Sequence, residues 1–230
     1  MFAGQVLLAL ILSTPAVLSA GGDRSNPDPN RFAGEIKTFV EWDSKNAVPA
    51  EPVLFVGSSS IRMWRTHESF PELPVVNRGF GGSHVSDILH YLDRVVLPYN
   101  PKVLVFYAGD NDVAGGKSPQ RVVEDYRRFV RLVHAKLPAV RIVYVAIKPC
   151  HNRWSLWPEM DKANGLVRDF CGQDERLFFA DLATPLLGDD GTPRRDLFLS
   201  DQLHLNPQGY AVWTQTLAPI LSRVLAAARQ

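Results

Sequence analysis

Residues 53–62 read Val-Leu-Phe-Val-Gly-Ser-Ser-Ser-Ile-Arg, four consecutive apolar side chains that stop at a glycine and three serines. A run that is apolar at every position, rather than at alternate ones, marks a strand buried on both faces, and such strands belong to parallel sheets. Pro49 and Pro52 stand just before it. They close a segment from Arg31 to Ala47 that carries Phe32, Ile36, Phe39 and Val40 at helical spacing. Further strands are predicted at Val75-Val76, Val103 to Tyr107, Ile142 to Ile147 and Leu177 to Ala180. Between them lie helical patterns from Ser83 to Val96, Ser118 to Leu137 and Pro158 to Phe170, and Asn206-Pro207 opens a last helix with Asn as its cap. This alternation predicts an α/β fold: a three-layer α/β/α, flavodoxin-like sandwich around a five-stranded parallel sheet. Working groups in such sheets collect beyond the carboxyl ends of the strands, so the segments that follow strands are the ones to read for chemistry.

The chain has 230 residues, 46% of them hydrophobic, which suits one domain with a sizeable core. Residues 31–230 are expected to form it. Lys and Arg (25) nearly balance Asp and Glu (24), which gives no electrostatic reason to expect a nucleic acid partner. A neutral, small-molecule substrate fits better. Val6 to Leu12 is a short apolar run followed by small residues through Ala20, the pattern of a signal peptide over residues 1–20, although Met1 to Gln5 carries no basic residue. The expectation is a secreted or periplasmic protein, with a membrane anchor as the alternative, and a linker over residues 21–30. Cys150 and Cys171 allow one disulfide or two buried thiols. Neither has metal-site spacing.

Four segments stand out. Gly57-Ser58-Ser59-Ser60 follows the first strand, where a serine is exposed and close to backbone N–H groups; taken alone it is only a helix cap. Asn77 to Ser83 holds Gly79, Gly81 and Gly82, which permit positive φ and close backbone approach. Such a loop could aim an N–H at a ligand oxygen; alone it is equally a tight turn or a phosphate cradle, the last weakened because no Lys follows at the P-loop position. Gly109-Asp110-Asn111-Asp112 offers a side-chain amide, or simply an Asx turn. Asp201-Gln202-Leu203-His204 lets a carboxylate reach one imidazole nitrogen and leaves the other to accept a serine proton.

In this order and at these strand ends, the four segments resemble the blocks of the SGNH hydrolases, also called the GDSL esterase/lipase family. The likeness runs from about Val53 to Trp213. It implies an ester hydrolase acting through a covalent acyl-enzyme, with Ser59 as nucleophile and Asp201 and His204 completing a triad. The same resemblance gives the oxyanion hole to the N–H of Ser59, the N–H of Gly82 and the amide of Asn111. No metal or cofactor is called for. The family's name motif has Asp where this chain has Ser58. The sequence here is similar to a subgroup with Gly-Ser-Ser-Ser-Ile-Arg, and Ser58 stands as the alternative nucleophile, with alignment favouring Ser59. The Gly-x-Ser-x-Gly elbow of ordinary α/β-hydrolases is absent, because Ile61 occupies the second glycine position.

Arg62, Arg78, Phe80, Trp154 and Trp157 flank these segments and are candidates for the substrate pocket, the aromatics being equally good core packing. The expected substrates are short acyl esters, with acetyl esters of carbohydrates among them. Rival readings are a thioesterase or lysophospholipase, an acyltransferase on the same site, and a catalytically idle binding module.

Overall fold

The computed structural model describes Met1 and residues 26–228, so the expected leader beyond Met1 and the first half of the expected linker, residues 21–25, lie outside the described residues. The strands are β1 (Val53–Gly57), β2 (Val75–Gly79), β3 (Val103–Tyr107), β4 (Arg141–Val145) and β5 (Leu177–Ala180). All neighbours pair in parallel in the order β2-β1-β3-β4-β5, as expected for the doubly wound sandwich. The chain moves outward from β1 to β2 and then returns to β3 on the other side of β1. The resulting crevice, beyond the carboxyl ends of β1 and β3, is where ligands bind in sheets of this kind.

The helices are α1 (Ala33–Asp43), α2 (Ser59–Arg62), α3 (Thr66–Ser69), α4 (Val85–His90), α5 (Leu92–Val95), α6 (Asp110–Ala114), α7 (Pro119–Lys136), α8 (Trp157–Cys171) and α9 (Pro207–Ala227). Alternate strand residues supply two cores. Leu54, Val56, Leu104, Phe106, Ile142 and Tyr144 face one way and pack under α1, α4, α5, α7 and α8. Val53, Phe55, Val103, Val105, Tyr107 and Val143 face the other way, under α2, α9 and the Trp64 and Phe70 rings that flank α3. A strand that feeds both cores is apolar throughout, which explains the uninterrupted runs in the sequence. Within α9, Trp213, Leu217, Leu221 and Val224 recur at helical spacing and are all buried. Cys150 belongs to the second core and Cys171 to the first; both are free thiols on opposite faces of the sheet.

Two expectations need adjustment. The helix expected over Ser83 to Val96 is broken at Tyr91, whose hydroxyl donates to the Pro29 carbonyl at 3.0 Å and whose ring packs edge-on against Phe80. Helical structure also begins slightly before Arg31. Asp28 caps a 3-10 turn, Pro29–Phe32, and Arg31 forms an ion pair with buried Asp87 of α4.

Candidate active site

β1 ends at Gly57, and the next N–H, of Ser58, donates to the Tyr107 carbonyl at the end of β3 (3.0 Å). The approach is so close that a Cβ at Gly57 would lie 2.0 Å from that oxygen, so only glycine fits. The chain then turns into α2, with Ser59 as its first residue and therefore no helical acceptor for its N–H. Ser59 is buried, and its Oγ lies 3.0 Å from His204 Nε2. On the other side of the ring, His204 Nδ1 lies 2.6 Å from Asp201 Oδ2. A carboxylate only accepts, so the proton sits on Nδ1, and Nε2 is left to accept from the serine hydroxyl. Ser58 is the poorer candidate: its hydroxyl is fully buried and has no hydrogen-bond partner.

The Asp201–His204 loop is held by its own backbone. Asp201 Oδ1 accepts the N–H groups of Leu203 (2.9 Å) and His204 (3.0 Å), while Leu199 N–H donates to the His204 carbonyl at 2.8 Å. Gln202 adopts a left-handed φ of 53° to close the loop, a conformation unusual for a side chain with a Cβ. Partial burial would raise the Asp201 carboxyl, but the hydrogen bonds from the imidazole and the two N–H groups outweigh it and hold it down at about 2. It therefore stays ionised wherever the imidazole could need it.

The glycine-rich loop meets this site from the β2 side. Phe80 N–H donates to the Gly57 carbonyl at 2.9 Å, and Gly82 follows with φ +81°, which favours glycine. Asn111, the second residue of α6, donates through Nδ2 to the Ser83 carbonyl at 3.1 Å, so its amide stands against the same loop. Ser59, Gly82, Asn111, Asp201 and His204 thus come from elements that β1, β3 and the two loops bring to one end of the sheet.

The pocket candidates divide. Arg62 is exposed and its guanidinium lies over Gly81, where a Cβ would come within 2.8 Å of Cζ. Trp154 and Trp157 stack on each other, with ring centroids 6.1 Å apart and 10° between planes, on the segment that follows β4. Arg78 and Phe80 are corrections. Arg78 points away from the crevice, ion-paired with Asp43 and bonded through Nε to the Tyr99 hydroxyl (2.5 Å). Phe80 is wholly buried in the first core against Phe32. Strand alternation explains both: these side chains follow the parity of the strand, not the direction of the site.

Further polar residues lie behind the Gly82 and Asn111 loops; Asp110 and Asp112 come from the Gly109–Asp112 segment, while Lys117, Asp125, Lys148 and Arg153 carry no motif. Asp110 is buried, 3.4 Å from both Lys148 Nζ and Arg153 Nη1, and Arg153 also reaches Asn111. Burial alone would raise the Asp110 carboxyl, but the Lys148 and Arg153 charges prevail and lower it. A second buried group joins α4, α6 and α7: Lys117 donates to Asp112 (2.8 Å) and Asp125 (3.0 Å), and Asp112 accepts the Val85 N–H. Beside it, burial and then the Lys117 charge push His84 down from 6.5 to about 4. A histidine kept neutral by the fold protonates first in the unfolded chain. Its contribution is therefore present above about pH 6.5 and lost as pH falls toward about 4, on the order of 3 kcal/mol at full extent. Asp112, pushed up by burial to about 6, works in the opposite sense in the same window. Comparison with His84→Gln isolates the histidine. In urea unfolding, the stability difference between wild type and variant should shift against wild type as pH drops from 6.5 to 4. A difference that stays constant over that range would show that His84 does not titrate on unfolding.

Among the described residues, no group of three or more His, Cys, Asp or Glu could hold a metal ion. A pocket of about 580 Å³ runs alongside the site between α2 and α9, lined by Met63, Trp64, Leu199, Leu205 and Tyr210 among others, but by none of Ser59, Gly82, Asn111, Asp201 and His204.

Comparison with known proteins gives the same picture at two levels. Among solved structures, the fold is similar to a Streptococcus pneumonia protein named for platelet activating factor (TM-score 0.74, 19% identity, covering 84% of this chain and 94% of that one). It is also similar to a GDSL-like lipase from Bacteroides thetaiotaomicron (TM-score 0.67, 19% identity, 85% and 98%). A third is an acetylxylan esterase from Geobacillus stearothermophilus (TM-score 0.61, 16% identity, 77% and 95%). No curated protein matches the sequence. The sequence model of one family does match, over residues 58–212, from the serine turn to α9. With the strand order and the four loop segments already in hand, that match makes the chain a member of the GDSL-like lipase/acylhydrolase family, a family of ester-cleaving hydrolases.

Proposed function

We propose that this acylhydrolase is a serine carboxylic ester hydrolase of the Gly-Ser-Ser-Ser-Ile-Arg subgroup, acting through an acyl-enzyme on short acyl esters, acetyl groups on carbohydrate in particular. The observation that carries the mechanism is the unbroken chain from Asp201 through His204 to Ser59, at 2.6 and 3.0 Å. Ser59 Oγ attacks the ester carbonyl while His204 Nε2 takes its proton. The oxygen that becomes negative is held by the N–H groups of Ser59 and Gly82 and by the Asn111 amide. The tetrahedral intermediate then expels the alcohol, which leaves with the proton from His204. Water, deprotonated by the same nitrogen, attacks the acyl-Ser59 ester, and collapse returns the serine hydroxyl and the free acid.

The preference for short acyl groups rests on what surrounds the nucleophile. The 580 Å³ apolar pocket is lined by none of Ser59, Asp201 and His204, so a long acyl chain seated in it has no direct path from the reacting carbonyl along its lining. The stacked Trp154–Trp157 pair offers a flat apolar face suited to a sugar ring, and the likeness to an acetylxylan esterase points the same way. A second reading has its own support, since Met63, Leu199 and Leu205 would suit a longer alkyl chain of a lysophospholipid or thioester. Hydrolysis of p-nitrophenyl esters from acetate to decanoate separates the two. The expected optimum is acetate or butyrate, with rates falling steadily beyond; an optimum at octanoate or decanoate would favour the apolar groove. If the folded protein cleaved none of the esters and took no label from a fluorophosphonate probe, the serine hydrolase mechanism would be excluded.

A further inference from the structure

The 3-10 turn His151–Leu156 that follows β4 touches both halves of the site. Arg153 Nη2 donates to Asn111 Oδ1 at 3.0 Å. Its sequence neighbour Asn152 donates through its backbone N–H to the Gln202 carbonyl (3.0 Å) and through Nδ2 to the Asp201 carbonyl (3.3 Å). Two consecutive residues therefore grip the amide on one side and the carboxylate–imidazole loop on the other.

The Asn111 contacts decide which way its amide faces. A guanidinium has donors only, so the atom it touches must be Oδ1; the Ser83 carbonyl only accepts, so the atom it touches must be Nδ2. A flipped amide would oppose donor to donor at Arg153 and acceptor to acceptor at Ser83. Held in this orientation, Nδ2 spends one N–H on Ser83 and keeps the second for a ligand. A bond to a cation also draws electron density from the amide and strengthens that remaining donor. Arg153 is itself fixed. Only 18% of its side chain is exposed, and Asp110, which sits between it and Lys148, holds it by charge.

We propose that Arg153 is a positioning residue for the oxyanion hole: it locks the Asn111 amide with one N–H toward the reacting oxygen, and the turn that carries it ties that donor to the Asp201–His204 loop. The inference rests on the mechanism above, in which Asn111 stabilises the oxyanion. Arg153 acts through Asn111 and does not touch the substrate.

A double-mutant comparison on p-nitrophenyl acetate tests it. Asn111→Ala should lose about 10²- to 10³-fold in kcat, the usual cost of one oxyanion donor. Arg153→Ala should lose roughly 10- to 100-fold in kcat, with KM within about twofold, because the donor remains but is no longer held. Added guanidinium chloride, below denaturing concentration, should restore part of that loss. The double variant should be no worse than Asn111→Ala alone, since Arg153 then has nothing to position. Should Arg153→Ala fail to fold by circular dichroism, Arg153→Lys carries the same comparison. It keeps the charge without the planar fork, and its loss should likewise vanish in the Asn111→Ala background. Multiplying losses in the double variant, or an unchanged kcat in the single one, would overturn the inference while an active wild type leaves the serine mechanism standing. A wild type inert to ester and fluorophosphonate alike would overturn the mechanism, and this inference with it.

Discussion

Ser59→Ala is expected to lower kcat on p-nitrophenyl acetate by about 10⁴-fold or more, with the fold intact. The hydroxyl makes one hydrogen bond, to His204 Nε2, and Ser59 enters α2 through backbone geometry rather than through a side-chain cap. Removing it deletes the attacking atom and little else. The surviving N–H groups and the Asn111 amide still polarise a carbonyl, so a small residual rate over water should persist. Ser58→Ala is the matched control. Its hydroxyl is buried without a partner, and deleting an unsatisfied group costs the fold nothing and can stabilise it. The control should keep its rate within about threefold. Steady-state kinetics on both variants, with thermal melts alongside, decides the matter. A Ser59→Ala protein that kept more than a tenth of the wild-type rate, beside a Ser58→Ala protein that did not, would move the nucleophile by one residue.

Asp201→Asn should cost nearly as much, on the order of 10⁴-fold in kcat at neutral pH, for a different reason. The substitution keeps size and leaves Oδ1 free to accept the N–H groups of Leu203 and His204, so the loop keeps its shape. What changes is the group facing Nδ1. An amide nitrogen there donates, which moves the imidazole proton to Nε2 and leaves that nitrogen unable to accept from Ser59. Stability should respond with a definite sign. With the native carboxyl held down at about 2 against an ordinary 3.8, its contribution is complete above about pH 4 and fades as pH falls toward 2. Above pH 4 the variant should therefore melt slightly below wild type, and the two should converge in strong acid. An enzyme that kept more than a tenth of its rate with Asn at 201 would show that the carboxylate does not orient the base.

Much of this architecture is legible in the amino-acid sequence. β1, β3 and β5 stand out because each feeds two cores and is free of polar side chains, whereas β2 carries Asn77 and Arg78 and is marked in the sequence only by Val75-Val76. α7 stands out because Val122, Tyr126, Phe129 and Val133 repeat at helical spacing. The break at Tyr91 leaves no such mark, since it depends on a hydroxyl finding the Pro29 carbonyl 62 positions away. Among the site candidates, Ser59 and His204 are recognisable as residue types in their segments, but only folding puts them 3.0 Å apart. Arg78 and Phe80 mislead because closeness in sequence to Gly79 and Gly82 says nothing about the face from which a side chain leaves the strand and the loop that continues it. Arg153 is hidden for the opposite reason. Two tryptophans draw attention to its segment, while its own signal is a contact to an amide 42 positions earlier.

The hydrogen bond between Ser59 and His204 joins residues 145 positions apart, and strands β2 to β5 all lie between them. During synthesis, then, the serine emerges long before the imidazole, and every strand of the sheet can be in place while it is still an ordinary alcohol. The proposed base, His204, arrives with the segment that leads into α9, whose Trp213 packs against Trp64 and Tyr107. A nascent chain, or a mature one whose final helix has worked loose, has no base to activate its alcohol. On the proposed mechanism, ester cleavage by this molecule therefore reports that the last helix has docked and assembly is complete.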